Sequence, residues 1–157
     1  MLDPTVSLAP GPFPGIGMAS LDDVRDFDAC RGVLTYFFRL VDSAQYPLLE
    51  GVVARDFSEE IYPNGPSLKS LAEMIDNMKQ VLGDNWFYRA HVNQSLLFKR
   101  LDPNTVSATA ICFHYKADVG PIGADLPVPT ASNALYTFIR ANEREPWRLT
   151  RREHYLL

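Results

Sequence analysis

The run S-L-D-D-V-R-D-F-D-A-C-R-G-V-L-T-Y-F-F-R-L-V-D-S-A-Q-Y-P-L-L, residues 20–49, decides the fold. Ser20 with Asp23 makes a capping box, and Asp22 and Asp23 suit the positive end of a helix. Val24, Phe27, Cys30, Leu34, Phe37 and Val41 then recur every three or four residues, which is one buried helical face. Phe38 and Leu40 widen that face, as expected where a curved sheet wraps a helix. The stripe ends on a carboxylate, Asp42. Ser43 is expected to cap a short second helix holding Tyr46, Leu49 and Val53, with Pro47 in its first turns where no backbone donor is lost.

Outward from this helix the pattern changes twice. Residues 57–62 read as a short strand ended by P-N-G-P. Ser67 is expected to cap a third helix through Leu68, Leu71, Ile75, Met78 and Leu82, stopped by Gly83. From Trp86 the period becomes two. One face carries Trp86, Tyr88, Ala90, Val92, Leu96 and Phe98; the other carries Phe87, Arg89, His91, Asn93, Ser95 and Leu97. A D-P-N-T turn leads to a partner strand at 106–117, forming a long hairpin. Residues 119–130, rich in Pro and Gly, are read as a rim loop or lid, and strands follow at 134–141 and 147–155. Helices first and then a long meander predict an α+β fold, with helices closing one side of a strongly curved sheet.

The chain of 157 residues is read as one domain, 20–157, preceded by a Pro/Gly-rich extension at 1–19. Its 46% apolar and 22% charged content is that of a globular protein. A net charge of -4 and the lack of a basic, aromatic-interleaved stripe give no reason to expect nucleic acid as a partner. No membrane span or signal peptide is recognised, so a cytoplasmic place is expected. Cys30 and Cys112, among apolar neighbours, are read as reduced core thiols.

Three residues stand out chemically. Asp42 sits where the apolar helix meets a loop, so a rigid element would hold its carboxylate at a cavity; capping the next helix is its structural alternative. His91 lies among Arg89, Asn93 and Ser95, on a face that is either exposed or lines a polar-bottomed pocket. His114 is the odd polar member of a face carrying Val106, Ala108, Ala110 and Cys112. A shared cavity explains all three economically, with imidazole as acid or base near neutral pH. Tyr62, Asn133, Tyr36 and Arg151 are candidates for substrate binding. No H-E-x-x-H, Rossmann glycine pattern, P-loop or G-x-S-x-G is present, so neither metal nor organic cofactor is expected.

The order of elements resembles the SnoaL-like group of the nuclear transport factor two-like superfamily over residues 21–157. The matching run is V-D-S-A-Q-Y-P-L-L, and P-W-R-L-T-R-R resembles the group's last strand. That resemblance implies a cone-shaped α+β barrel around a pocket, and dimerisation through the sheet. Within it the pattern is similar to the scytalone dehydratase family, which would place the central aspartate on Asp42, the two strand histidines on His91 and His114, the cavity asparagine on Asn133, and one water-holding tyrosine near Tyr62. The family's other tyrosine falls on Val41. The resemblance implies a cofactor-free lyase acting on an apolar, ring-bearing polyketide or terpenoid. An isomerase or cyclase using the same enolate, or a non-catalytic binding or assembly domain, are the alternatives.

Overall fold

The computed structural model describes residues 20–82, 89–116 and 130–157. Helix α1 spans Leu21–Asp42, with both halves of the capping box formed: Asp23 N–H donates to Ser20 Oγ and Ser20 N–H donates back to Asp23. The stripe buries Cys30, Leu34, Phe37, Phe38, Leu40 and Val41, whereas Val24, at the helix start, is exposed. Ser43 ends α1 instead of capping a new helix, its hydroxyl donating to Arg39 O. A short 3-10 helix follows at Tyr46–Gly51, with Pro47 at its start.

Strand β1 is Val53–Tyr62 and β2 is the two-residue Ser67–Leu68. Helix α2 is Leu71–Leu82, capped by Ser70, which accepts from Glu73 N–H, and not by Ser67. The remaining strands are β3 Arg89–Asp102, β4 Thr105–Lys116, β5 Thr130–Ile139 and β6 Arg148–Leu156. They form one sheet in the order β2-β1-β6-β5-β4-β3, antiparallel except for the parallel pair β1–β6. This is the expected α+β architecture, with the helices packed on a curved six-stranded sheet. Strand β5 begins earlier than the expected 134–141, which brings Ser132 into the sheet. The extension at 1–19, the segment 119–129 read as a lid, and Trp86 to Tyr88 lie outside the described residues.

Two bulges decide which side chains face inward. In β3 the register with β4 shifts between Gln94 and Leu97, where Ser95 takes a φ of 55°. An inserted residue reverses the alternation, so His91 and Asn93 share the concave face with Leu96 and Phe98. The two faces inferred from strict alternation therefore exchange halfway along the strand. In β6 the register with β5 shifts where Phe138 pairs Leu149 but Thr137 pairs Arg151. Leu149, Arg152 and His154 become the buried members, and Arg151 turns out to solvent.

The core between α1 and the sheet is built on Phe37, Phe57, Tyr136, Phe138, Leu34 and Leu149, all essentially inaccessible. At the N-terminal end of α1, Arg100 of β3 donates to Asp23 and Asp26, while Arg140 and Trp147 also donate to Asp26. These bonds fix the tilt of α1 across the sheet and so the position of its far end, Asp42. Among the described residues no helix is long and apolar enough to cross a membrane. Cys30 and Cys112 are free, buried thiols.

Candidate active site

Asp42, the last residue of α1, accepts two hydrogen bonds from His91 of β3. The His91 backbone N–H lies 2.9 Å from Oδ2 and the imidazole Nδ1 lies 2.5 Å from Oδ1. A carboxylate only accepts, so Nδ1 carries a proton, and in the neutral ring the lone pair is on Nε2. Phe38, one turn before Asp42, stacks under the imidazole with ring centroids 4.7 Å apart. Phe38 and Asp42, one helical turn apart, thus hold the His91 ring from its face and from Nδ1. Both polar side chains keep some accessibility, 14% for His91 and 20% for Asp42.

A groove of about 890 Å³ runs along the seam of α1 and β3, with Leu34, Phe38, Asp42, His91, Asn93 and Leu96 in its lining. Arg31, Thr35 and Arg39 line its α1 side. Leu34, Phe38 and Leu96 give the groove an apolar lining, and Asp42, His91 and Asn93 bring polar side chains to it.

His114 pairs with His91 across β3–β4, and the two rings meet edge-to-face with centroids 4.6 Å apart. Behind His114 the polar atoms continue inward. Its Nε2 lies 3.3 Å from Ser132 Oγ, which lies 3.1 Å from Nδ1 of His154. The Nε2 of His154 accepts from Arg152 at 2.8 Å, and Arg152 pairs with the buried Glu59 at 3.4 Å. Arg152 also lies over the rings of Phe37 and Phe38, while its Nε finds no hydrogen-bond partner among the described residues. Nearby, Tyr136 donates to Asn93 Oδ1 at 2.6 Å. Burial, with His91 and Arg152 adding repulsion, pushes the His114 imidazole down to about 3. Burial and then Arg152 hold His154 well below the ordinary histidine range.

Stability should therefore fall in acid. A neutral buried imidazole takes up its proton only on unfolding, so below the ordinary histidine value of 6.5 the unfolded state binds more protons. For His114 the loss runs from 6.5 down to about 3. Within its window each such histidine contributes a slope of about 1.4 kcal/mol per pH unit. Urea unfolding followed between neutral pH and pH 4 checks the sign: a midpoint that does not fall toward acid would mean that these imidazoles take up protons in the fold as readily as in the unfolded chain.

The sequence candidates separate cleanly. Asp42, His91 and His114 come together. Asn133 is exposed on the convex face, where its inward neighbour is Ser132. Arg151 is exposed and pairs with Glu153; its inward neighbour is Arg152. Tyr62 stacks on Tyr155 at the outer end of β1, and Tyr36 lies half exposed on the outer side of α1. None of these four faces the Asp42–His91 pair. Ser132, His154, Arg152 and Glu59 were not singled out from the sequence, although R-x-H in a terminal strand is a period-two signal for two inward polar residues.

Cys112, His114 and His154 bring one sulfur and two ring nitrogens within 4.8 Å of one another. That is a donor set a soft cation could use. The guanidinium on Nε2 of His154 counts against it, because it leaves the proton on Nδ1, the nitrogen that faces the cluster. Burial also raises the Cys112 thiol away from thiolate. These residues fit a neutral hydrogen-bonded cluster better than a metal centre.

The sequence matches no family model and no curated protein. Solved structures do share the fold. An NTF2-like protein with a cystatin-like fold from Novosphingobium aromaticivorans is 19% identical, with TM-score 0.68 over 90% of this chain and 92% of that one. A hexachlorocyclohexane dehydrochlorinase from Novosphingobium barchaimii LL02 is 14% identical, with TM-score 0.68 over 88% and 90%. A scytalone dehydratase-like protein from N. aromaticivorans is 13% identical, with TM-score 0.61 over 85% of each chain. At these identities the likeness shows the fold, an NTF2-like cone.

Proposed function

We propose that this chain is a SnoaL-like, cofactor-free acid–base lyase, and that His91 is its base. The observation that carries this reading is the two-bond seat of His91 on Asp42, which holds a proton on Nδ1 so that the neutral ring keeps its lone pair on Nε2, with His91 in the lining of the groove. In the proposed reaction Nε2 takes a proton from the carbon next to a substrate carbonyl. Asp42 stabilises the imidazolium that forms, and His114 hydrogen-bonds an oxygen of the substrate. The electron pair of the broken C–H bond passes into the enolate and then expels the β-hydroxyl, which takes the proton back from the His91 imidazolium and leaves as water, returning His91 to its neutral form. The groove's lining, with Leu34, Phe38 and Leu96, suits a ring-bearing, mostly apolar substrate such as a polyketide or terpenoid intermediate. Reprotonation or internal attack of the same enolate would make the enzyme an isomerase or cyclase.

Two neighbours of the same fold carry the names of a dehydrochlorinase and a dehydratase-like protein, which supports elimination as the first chemistry to test. The same proposal includes a cytoplasmic homodimer paired through the sheet; exposed Val92, Ile111 and Tyr115 support that face. The test is a set of bicyclic β-hydroxyketones in deuterated water, followed by NMR. Loss of the α-proton with formation of enone is expected, slowed about 10²- to 10⁴-fold in His91→Gln. Equal rates in His91→Gln and the unaltered protein would end the assignment of His91 as base.

A further inference from the structure

We propose that His154 is a positioning residue for the second histidine of the site: acting through Ser132, it holds His114 in the tautomer that carries its proton on Nδ1. The hydrogen-bond order follows from donor and acceptor capacity alone. A guanidinium has donors and no acceptor. Its Nη2 lies 2.8 Å from His154 Nε2, so that nitrogen must present a lone pair and the ring proton sits on Nδ1. Nδ1 then donates to Ser132 Oγ at 3.1 Å. The serine's own proton goes to the remaining neighbour, His114 Nε2 at 3.3 Å, which must accept. The His114 proton is left on Nδ1.

The competing arrangement has both imidazoles donating to Ser132 Oγ. It would strand the hydroxyl proton inside the protein, since Ser132 has no exposure and no third partner among the described residues. A buried unsatisfied donor costs about 1–3 kcal/mol, enough to decide between the two orders. Charge reinforces the choice. The groups around His114 are Asp42 from α1, His91 from β3, Cys112 on its own strand, Ser132 from β5, and His154 with Arg152 from β6. Glu59 from β1 lies against Arg152 and is 3.8 Å from His154. A second cation on either imidazole would sit in the field of Arg152, so the relay stays neutral.

The consequence for chemistry rests on the lyase reading. The two site histidines would have different duties: His91 takes the proton, and His114 serves only as an uncharged N–H donor. Such a donor pairs with a neutral carbonyl oxygen and strengthens as the oxygen becomes an enolate. It does not supply a whole positive charge for a carboxylate. The substrate group that meets His114 is thus a ketone or enol oxygen and not a carboxylate.

The experiment is long-range proton–nitrogen NMR on the full chain labelled with ¹⁵N-histidine. In the unaltered protein His114 should show a protonated Nδ1, an unprotonated Nε2, and no titration between roughly pH 8 and 5, where a free histidine changes charge. In Ser132→Ala the His114 signals should move toward mixed tautomers or begin to titrate, and Ser132→Thr, which keeps the hydroxyl, should restore them. His154→Gln gives a second route to the same loss if Ser132→Ala folds poorly. If the lyase reading holds, Ser132→Ala lowers kcat about tenfold with little change in KM, the loss of roughly one hydrogen bond's worth of stabilisation. An Nε2–H tautomer in the unaltered protein, titration of its His114 in that range, or His114 signals unmoved by Ser132→Ala would each overturn the proposal. The expected tautomers in a chain that turns over no β-hydroxyketone would support the relay and remove only the lyase reading.

Discussion

Asp42→Asn is expected to lower kcat/KM by about 10³-fold, within the range general-base catalysis supplies, while leaving the fold intact. His91 directs two donors at one carboxylate, its backbone N–H and its Nδ1–H. An amide has a single acceptor oxygen. The backbone N–H cannot change its character, so it keeps that oxygen, and the amide nitrogen turns to the ring. An amide N–H facing Nδ1 demands a lone pair there, which moves the ring proton to Nε2 and removes the base. The geometry survives while the tautomer inverts. Steady-state kinetics with a β-hydroxyketone give the rate, and nitrogen NMR of His91 reads the inversion directly. A loss smaller than tenfold with the tautomer inverted would show that Nε2 of His91 is not where the proton goes.

The largest loss of stability is expected from Glu59→Leu, about 3–5 kcal/mol, the cost of leaving a buried charge without its partner. Glu59 and Arg152 are 5% and 3% exposed, so water cannot replace the missing carboxylate. What remains around the guanidinium is His154 Nε2, Met74 Sδ and the faces of Phe37 and Phe38, which supply partial charges only. The double variant Glu59→Leu with Arg152→Met should recover most of the loss, because removing both ions also removes both desolvation penalties. Urea unfolding of the two variants at neutral pH tests this. If Glu59→Leu costs less than about 1 kcal/mol, the pair behaves as a solvent-screened one.

The helices were legible because their signals are local. A capping box, a stripe at 3.6 spacing and a terminal Asp42 specify α1 without reference to any other element, and α2 carries a stripe of the same kind. The strands were legible as strands but not as faces. Alternation assigns sides correctly only until a bulge, and neither Ser95 nor the Thr150–Arg151 step announces one in composition. The β6 bulge is why Arg151 falls one residue from the inward-facing Arg152, whereas β5 alternates without a break and Asn133 lies on its outer side, beside the inward-facing Ser132. Tyr62 lies at the outward end of β1, where pairing with Tyr155 is a tertiary fact invisible from either segment. His154 is isolated in sequence from both other histidines and gains its meaning from Arg152, which the β6 bulge turns inward.

The parallel pairing of β1 with β6 has a kinetic consequence. It sets Glu59 beside Arg152 and Ile61 beside His154, joining segments from opposite ends of the described chain. All other strand pairs are hairpin or meander neighbours, or short-range like β1–β2. Closing β6 against β1 is therefore the step with the greatest loop entropy, and contacts of that kind set slow folding rates. It is also the step that buries Arg152 and orders His154. Chains that have formed the β3–β4–β5 meander but not this closure hold the Asp42, His91 and His114 residues in their sheet and helix without the neutral relay behind them. Completion of the proposed site and the slowest topological closure of the fold are then one event.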